Sequence, residues 1–403
     1  MEERSEITRS TMLYFSAFLF LGMAAAVLGP SLLQLREQTD SSLEMISIIF
    51  PIRAGAYLLG SWLAGGLYDR FSGHRLLAYG LLGMGSTLAL VPQLSSLPIL
   101  LPILLLMGLS MGMVDVGCNT LLLALRSRNV SSYMNGLHFF YGLGSFAAPL
   151  VLAESIGRRG GIDWGYRLLG LVSLLVLLQI WRLPSPNLSS QDRDPGRTAR
   201  SVEGSAGRGL LILIVLFFFF YVGVEVGFGN WISTFSQQVR LADERTGALL
   251  TSAFWGAFTA GRLLSIPLAS RLSDRSMLRG DLWGGMVGLG LITLLPGESW
   301  AVWSGTVLLG FSLASVFPTM LSLADRMLAL SGKTTSWFFV SGGLGAVFFP
   351  WMIGLFVGRA GAMLIIYVLL SLLAASGGCF FSIIWLGKKK IPTENSADYP
   401  PRD

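Results

Sequence analysis

Long apolar segments alternate with short polar stretches from one end of the chain to the other. Each apolar segment has about 20 residues, enough to cross a bilayer core of roughly 30 Å as an α-helix. The pattern therefore predicts twelve transmembrane helices, at 10–33, 44–67, 76–93, 97–124, 131–155, 165–183, 209–236, 246–270, 281–296, 299–324, 334–357 and 360–386.

The composition supports a membrane protein. Hydrophobic residues make up 53% of the 403 residues and charged residues only 13%, against about 25% charged residues in an average soluble domain. The first apolar segment continues through Gly29 and Pro30 without a small-residue cleavage site, so we expect a retained helix and no signal peptide. The predicted fold class is an all-α membrane protein.

Basic residues indicate the orientation. Most of the 29 Lys and Arg residues fall in the termini and in alternate loops, which predicts that both termini are cytoplasmic. We expect a multi-pass protein of the plasma membrane or of a bacterial inner membrane. The net charge of +6 then needs no nucleic-acid partner, since the excess faces anionic lipid.

A polar stretch rich in Pro, Ser and Gly separates the sixth and seventh apolar segments and is typical of a flexible linker. A weak internal repeat relates the two halves, because Asp69-Arg70 after the second segment matches Asp274-Arg275 after the eighth. Such repeats are typical of transporters with a midplane site between two related bundles. We predict two pseudo-symmetric six-helix bundles, with an N-terminal bundle at 1–183, a linker at 184–208, a C-terminal bundle at 209–386 and a cytoplasmic tail at 387–403.

Four charged residues lie inside the predicted helices: Arg53, Asp115, Glu225 and Arg262. Charges at this depth are rare and normally face a protein interior or a water-filled cavity. Asp115 is eleven residues from Arg126, roughly 16 Å from the end of its helix and so near the middle of the membrane. Arg53 is near enough to the outer end of its helix that snorkelling to the surface and a functional role both stay open.

Asp115 shares one helical face with two glycines and an amide. Gly108, Gly112, Asp115 and Asn119 follow one another at spacings of four, three and four residues. A buried structural contact and a transport role are both open for Asp115 and for Glu225. Other polar or aromatic candidates on inward faces are Asn135 and His138 on the fifth helix, Trp255 and Arg262 on the eighth, and Trp337 on the eleventh.

Several classes of chemistry are disfavoured. The chain has no Walker A motif, no serine elbow and no His and carboxylate cluster with metal-ligand spacing, so we expect no enzyme, metal site or bound cofactor. Cys118 and Cys379 both fall inside predicted helices, where they are poorly placed for a disulfide.

The stretch GGLYDRFSGHR at 65–75 resembles the signature loop of the major facilitator superfamily. It has one extra residue before Gly73, and His74 stands where a basic residue is frequent. The stretches DVGCN (115–119), LHFFYGLGSFAAPL (137–150), YVGVEVGFGNW (221–231), FWGAFTAGRLLSIP (254–267), SLASVFPTML (312–321) and GGLGAVFFPWMIG (342–354) are similar to the sodium-dependent glucose transporter branch, which is related to the fucose permeases.

This resemblance implies alternating access, with two bundles rocking about a central cavity, and a monosaccharide as substrate. In fucose-permease relatives an acidic residue of the fourth helix, followed four positions later by Asn, is associated with coupling and sugar binding, and Asp115 and Asn119 match that pattern. The resemblance also implies a conformational switch in the two loops that carry the Asp-Arg repeat. Its residues are Gly65, Asp69, Arg70, Gly73, Arg75, Asp274 and Arg275.

These observations favour a monomeric symporter that couples a sugar to a proton or a sodium ion. Sugars need hydrogen-bonding groups and an aromatic face, which Asn119, Asn135, His138, Trp255 and Trp337 would supply. Asp115, Glu225 and Arg262 are the candidates for ion coupling. The alternatives are an exporter of drugs or lipid-like amphiphiles with the same fold, and a membrane sensor that does not transport.

Overall fold

The computed structural model describes residues 2–126, 130–185, 205–328 and 332–390. These residues form fifteen α-helices and one short 3-10 helix, Val91–Gln93. The α-helices are α1 Glu2–Ala26, α2 Leu28–Gln38, α3 Leu43–Ile46, α4 Ile49–Tyr68, α5 Gly73–Leu90, α6 Leu97–Leu125, α7 Val130–Arg159, α8 Asp163–Trp181, α9 Ser205–Gln238, α10 Glu244–Ala269, α11 Asp274–Leu294, α12 Ser299–Leu313, α13 Val316–Leu328, α14 Gly332–Ala360 and α15 Met363–Lys390.

Each of the twelve predicted membrane segments corresponds to one helix or to two helices in line. The first segment is α1 and α2, the second α3 and α4, and the tenth α12 and α13. Each of these three breaks lies three or four residues before a proline: Pro30, Pro51 and Pro318. Proline has no N–H to donate and its ring clashes with the carbonyl four residues earlier, so the helix is interrupted there.

Ten helical segments in the described residues are long and apolar enough to cross a membrane. The other two predicted segments are helical as well, at α10 and α11, but they are not among those ten. Each carries several charged side chains, including Arg262 in α10 and Asp281 in α11. The prediction of an all-α membrane protein is confirmed.

Two helices extend into the predicted linker and the predicted tail. Helix α9 begins at Ser205, inside the predicted linker, and α15 continues to Lys390, inside the predicted tail. Backbone hydrogen bonding continues past the apolar residues, so hydropathy alone misplaces these ends. The remainder of the predicted linker from 186 to 204, and of the tail from 391 to 403, lies outside the described residues.

Glycines bring neighbouring helices into backbone contact. A Cβ atom on Gly144 of α7 would lie 1.9 Å from the carbonyl oxygen of Leu19 in α1, and one on Gly22 would lie 2.0 Å from the carbonyl oxygen of Tyr141. Helices α4 and α6 approach one another in the same way at Gly60. Close approach through small residues is the usual way for helices to associate in lipid, where apolar burial drives them together only weakly.

Helices from the first six segments also contact helices from the last six. Helix α7 packs along α10, where the Ser252 hydroxyl donates to the carbonyl oxygen of Phe146 at 2.8 Å. Helix α2 packs on α9, and α3 and α4 pack on α14. These contacts join α2, α3, α4 and α7 of the first half to α9, α10 and α14 of the second half.

Polar contacts join the same two groups of helices at one face, which we call the clasped face. It contains the end of α2, the start of α10 and the ends of α7 and α14. The Gln34 side-chain amide donates to Glu244, and the backbone N–H of Ile162 donates to the Gln34 Oε1 atom at 3.0 Å. Two ion pairs extend the clasp, Arg245–Glu154 at 3.5 Å and Arg359–Glu44 at 3.6 Å.

Candidate functional site

The Asp115 carboxylate is held by neutral donors in the middle of α6. The Tyr57 hydroxyl of α4 donates to its Oδ2 atom. The Asn119 side chain donates to its Oδ1 atom and to its backbone carbonyl oxygen, both at 2.9 Å. The structure therefore brings Asp115 and Asn119 together, as their spacing of one helical turn indicates.

Tight packing between α4 and α6 fixes this arrangement. A Cβ atom on Gly112 would lie 2.4 Å from the carbonyl oxygen of Tyr57, and one on Gly108 would lie 2.3 Å from the carbonyl oxygen of Arg53. With the backbones this close, Tyr57 faces Asp115 across the seam between the helices. The two glycines on the predicted polar face thus set the register of the site.

Arg53 does not snorkel to the surface, so that alternative is wrong. Only 7% of its surface is exposed, and its Nη1 atom contacts the sulfur of Met111 at 3.8 Å. No carboxylate oxygen of the described residues lies within 4 Å of its guanidinium group. Arg53 turns inward because its place on α4 faces α6 instead of lipid.

A second charged group lies on α9 and α10. The Arg262 guanidinium sits over the ring of Phe258, 4.6 Å from its centroid, a favourable cation–π geometry. Glu225 lies within electrostatic range of Arg262 and beside Tyr221. His138 of α7 also lies within electrostatic range of Arg262. The three charged or titratable residues predicted here therefore share one region.

Tyr141 of α7 lies between the two charged groups and was missed by the sequence analysis. It is within electrostatic range of Arg53, Glu225, Asp115 and Arg262. Its place in the sequence, three residues after His138, put it on the same helical face. Tyrosines in membrane helices commonly pack or anchor at the interface, so that signal alone did not single it out.

The predicted aromatic and amide residues divide into two groups. Trp255 packs edge-on against Phe258, with ring centroids 5.5 Å apart, and its buried Nε1 atom has no hydrogen-bond partner among the described residues. Asn135 and Trp337 lie five residues from the starts of α7 and α14, and Trp337 is 54% exposed. Neither is joined to the other site residues by a hydrogen bond or ring contact in the described ranges.

The predicted switch loops lie on the face opposite the clasp. In the second half of the chain, Asp274 pairs with Arg326 at 3.3 Å and accepts a hydrogen bond from Ser322 at 3.2 Å. Asp69, Arg70 and Arg75 are exposed, Arg275 is half-buried, and Gly65 has open space around its Cα atom.

The buried Gly73 begins α5 in the first of these loops, and His74 follows it. The His74 Nε2 atom lies 2.6 Å from the hydroxyl oxygen of Tyr14, and its Nδ1 atom lies 3.3 Å from the carbonyl oxygen of Leu183. The loop is therefore tied to α1 and to the chain just after α8.

The described residues contain no cluster of three His, Cys, Asp or Glu side chains that could hold a metal ion. Cys118 and Cys379 are both free in this structure. The groups that converge on the centre instead offer carboxylates, hydroxyls, amides and aromatic rings. This set can bind a monovalent cation or a proton and can hydrogen-bond a polar solute.

A bundle of membrane-spanning helices with charged residues at its centre is the architecture of a membrane transporter. The family model described as Major Facilitator Superfamily matches residues 14–350. The chain belongs to this superfamily.

Two curated relatives show which branch of the superfamily this chain resembles. The chain is 30% identical over 377 residues to sodium-dependent glucose transporter 1A of Mus musculus, covering 86% of this chain and 89% of that protein. It is 31% identical to sodium-dependent glucose transporter 1 of Xenopus laevis, covering 82% of this chain and 72% of that protein. The resemblance to the sodium-dependent glucose transporters is therefore confirmed.

The fold resembles the crystal structure of a bacterial homolog of the human lysosomal transporter Spinster in an inward-facing, unoccupied conformation. The TM-score is 0.75 at 11% identity, and the match covers 97% of this chain and 99% of that one. At this identity the likeness establishes the fold alone.

Proposed function

We propose that this protein is a secondary active transporter that moves a monosaccharide by alternating access and couples that movement to a proton or a sodium ion. The observation that carries the proposal is the Asp115 carboxylate, held at mid-helix by Tyr57 and Asn119 and without a basic partner in the described part of the chain. A carboxylate bound by neutral donors can exchange a proton or a cation during a cycle. The coupling ion would be its only cofactor.

Alternating access is supported by the asymmetry of the two faces. The clasp joins the first six segments to the last six at one face, and Gly29 of α2 packs directly on the backbone of Asn230 in α9, where a Cβ atom would lie 2.8 Å from the Asn230 Cα atom. The clasped face is the predicted outer one. We propose that this conformation opens to the cytoplasm and that the bundles at 1–183 and 209–386, with the linker at 184–208, rock against each other.

A sugar is supported as substrate by the groups near Tyr141 and by the names of the curated relatives. Asn119, His138 and Tyr141 offer hydrogen bonds, and Trp255 offers a ring on which a sugar could stack. Asn135 and Trp337, near the helix ends, would meet the sugar on its way in or out. We propose that the protein works as a monomer in a plasma membrane or bacterial inner membrane, with both termini in the cytoplasm.

The test is uptake of a panel of labelled monosaccharides into proteoliposomes, with a sodium gradient or a proton gradient imposed separately. We expect one or more sugars to accumulate against their gradient under one of the two conditions. Failure of every sugar under both gradients would reject the proposal.

An apolar groove supports the exporter of amphiphiles as a second candidate. It has a volume of about 460 Å³ and lies where α4, α9 and α14 meet. Its lining is entirely hydrophobic and includes Pro51, Phe219 and Trp351. Adding lysophospholipids and hydrophobic cations to the same panel separates the two candidates, because an exporter of amphiphiles would move those solutes and no sugar.

A further inference from the structure

Arg53 is a buried cation with no carboxylate oxygen within 4 Å among the described residues. Its Nε atom is buried and has no hydrogen-bond partner among the described residues, and its Nη1 atom contacts only the weak acceptor sulfur of Met111. A guanidinium group buried in a protein without a paired charge is strongly destabilising. Such a cost is normally offset by a partner, so the arrangement points to a partner in another state of the protein.

The groups in contact with Arg53 or within its electrostatic range among the described residues are neutral. Tyr57 lies on its own helix, Met111 on α6, Tyr141 on α7 and Tyr166 on α8. The hydroxyl of Tyr166 is itself buried without a hydrogen-bond partner in the described ranges. None of these side chains can neutralise the guanidinium charge.

Asp115 is the carboxylate next to this cation along the seam between α4 and α6. Arg53 meets Met111, and Tyr57 meets Asp115, so each contact is four residues further along both helices. One helical turn is about 5.4 Å, which a rotation of the long arginine side chain can span. The glycine contacts at Gly108 and Gly112 keep the backbones fixed, so the side chains can exchange partners without a movement of the helices.

We propose that Arg53 is the counter-ion of Asp115 when Asp115 has released its coupling ion. In that empty state the guanidinium leaves Met111 and pairs with the carboxylate. When the ion binds Asp115, the carboxylate returns to Tyr57 and Asn119, as seen here, and Arg53 returns to Met111. This inference rests on ion coupling at Asp115 in the proposed function and does not depend on which solute is carried.

The test is a double-mutant cycle on the melting temperature of the purified full chain. Wild type, Arg53→Met, Asp115→Asn and the double variant are compared in a sodium-free alkaline buffer, which empties the site, and in a sodium-rich acidic buffer, which fills it. In the first buffer Arg53→Met should lower the melting temperature by several degrees, because it leaves a bare carboxylate. Adding Asp115→Asn should recover most of that loss. In the second buffer the two changes should be additive.

Two results would overturn the inference. The first is that the effects of the two substitutions on the melting temperature are additive in both buffers. The second is that the coupling between Arg53 and Asp115 is the same in both buffers, which would mean a permanent contact. Arg53→Lys keeps the charge and should behave as wild type in the first buffer; a loss equal to that of Arg53→Met would also refute the role of charge. Arg53→Gln replaces Arg53→Met if the methionine variant cannot be purified. The exposed pair Arg167–Asp163, 3.8 Å apart, provides the control cycle, in which no coupling is expected.

These measurements use no sugar, so their outcome is separate from that of the uptake experiment. A chain that transports no monosaccharide could still show the coupling between Arg53 and Asp115. A chain that accumulates sugar but shows additive changes would retain the proposed function and lose this inference.

Discussion

At the scale of single residues, what Asp115 can do follows from the kind of donors that hold it. A carboxylate locked to arginine would stay ionised throughout a cycle, whereas one held by Tyr57 and Asn119 can take up and release a cation. Glu225 differs, because the positive charge of Arg262 lies within its electrostatic range. We therefore expect Asp115 to carry the exchange and Glu225 to position Arg262.

Asp115→Asn tests this assignment. The amide keeps the shape and hydrogen-bonding capacity of the side chain but cannot ionise. Accumulation of sugar driven by a gradient should disappear, while exchange of internal for external sugar, which needs no net ion movement, should continue near the original rate. Both are measured in one proteoliposome preparation.

Tyr57→Phe is the matched control for Asp115→Asn. It removes one donor, at a cost of about 1–3 kcal/mol, and leaves the carboxylate in place. We expect it to accumulate sugar more slowly without abolishing accumulation. An Asp115→Asn protein that still concentrates sugar would leave Asp115 as a structural contact.

The sequence revealed residues whose partners lie on the same helix. Asp115 and Asn119 were found because their spacing of four residues places them on one face. Tyr57 was not identified and the position of Arg53 was left open, because their contacts depend on how α4 packs against α6. Which of two helices a side chain faces is decided by tertiary packing, and no spacing within one helix encodes it.

At the scale of helices, prolines also show that a local sequence signal does not determine the outcome without tertiary contacts. Pro30, Pro51 and Pro318 follow breaks, yet Pro102, Pro149, Pro267 and Pro350 lie inside continuous helices. Neighbouring groups can satisfy backbone atoms near a proline in a membrane helix. At Pro350 the indole N–H of Trp231 donates to the proline's own carbonyl oxygen at 2.9 Å, which ties α9 to α14 at this point but does not replace the missing proline N–H. Hydropathy therefore located the helices, and their interruptions depended on contacts made elsewhere.

The seam between α4 and α6 can be tested with glycines of a single helix. A Cβ atom on Gly60 would lie 2.3 Å from the carbonyl oxygen of Leu109, whereas Gly66 has open space. Gly60→Ala should destabilise the protein by about 1–3 kcal/mol, since helix backbones must separate. Gly66→Ala should be neutral or slightly stabilising, as alanine is the better helix former. Thermal unfolding in detergent measures both, and equal effects would show that the seam is loose.

At the scale of the whole molecule, the sequence predicted the all-α membrane class and the superfamily, because each depends on patterns within short stretches. It could not predict which face is closed. That depends on contacts such as Gln34–Glu244, which join residues 210 positions apart. The sequence singled out Asp274 in the second switch loop, but its partners Arg326 and Ser322 could be identified only from the structure.

Asp274→Asn tests the switch loop in the second half of the chain. Losing the charge weakens its contact with Arg326, which joins the start of α11 to the end of α13. Because the loop is far from Asp115, we expect transport to change several-fold while equilibrium sugar binding stays nearly constant. Isothermal titration measures the affinity for sugar, and uptake into proteoliposomes measures the rate of transport. Equal losses in both would place Asp274 in the binding site instead.

The clasped face should open when Gln34 is replaced by alanine. Gln34 accepts from the N–H of Ile162 and donates to Glu244, so the change removes two contacts, one of them to a charged group. Losing about 1.4 kcal/mol would raise the population of the opened face roughly ten-fold. A cysteine at Asn230, which is buried under Gly29 at this face, would report the opening through its rate of reaction with a membrane-impermeant maleimide.

Arg36→Ala is the control for the clasp, because Arg36 lies on the same helix as Gln34 and its ion pair among the described residues is with its neighbour Glu37, at 3.4 Å. The Asn230→Cys protein should react about ten-fold faster with the maleimide when Gln34→Ala is added, and at its original rate when Arg36→Ala is added. Saturating sugar on the clasped side should reduce the difference in maleimide reaction rate between the Gln34→Ala and Arg36→Ala backgrounds. A carrier that already cycles opens that face without the mutation. Equal rates in the two backgrounds would mean that the helix packing of α2 on α9, and not the Gln34 contacts, holds the face closed.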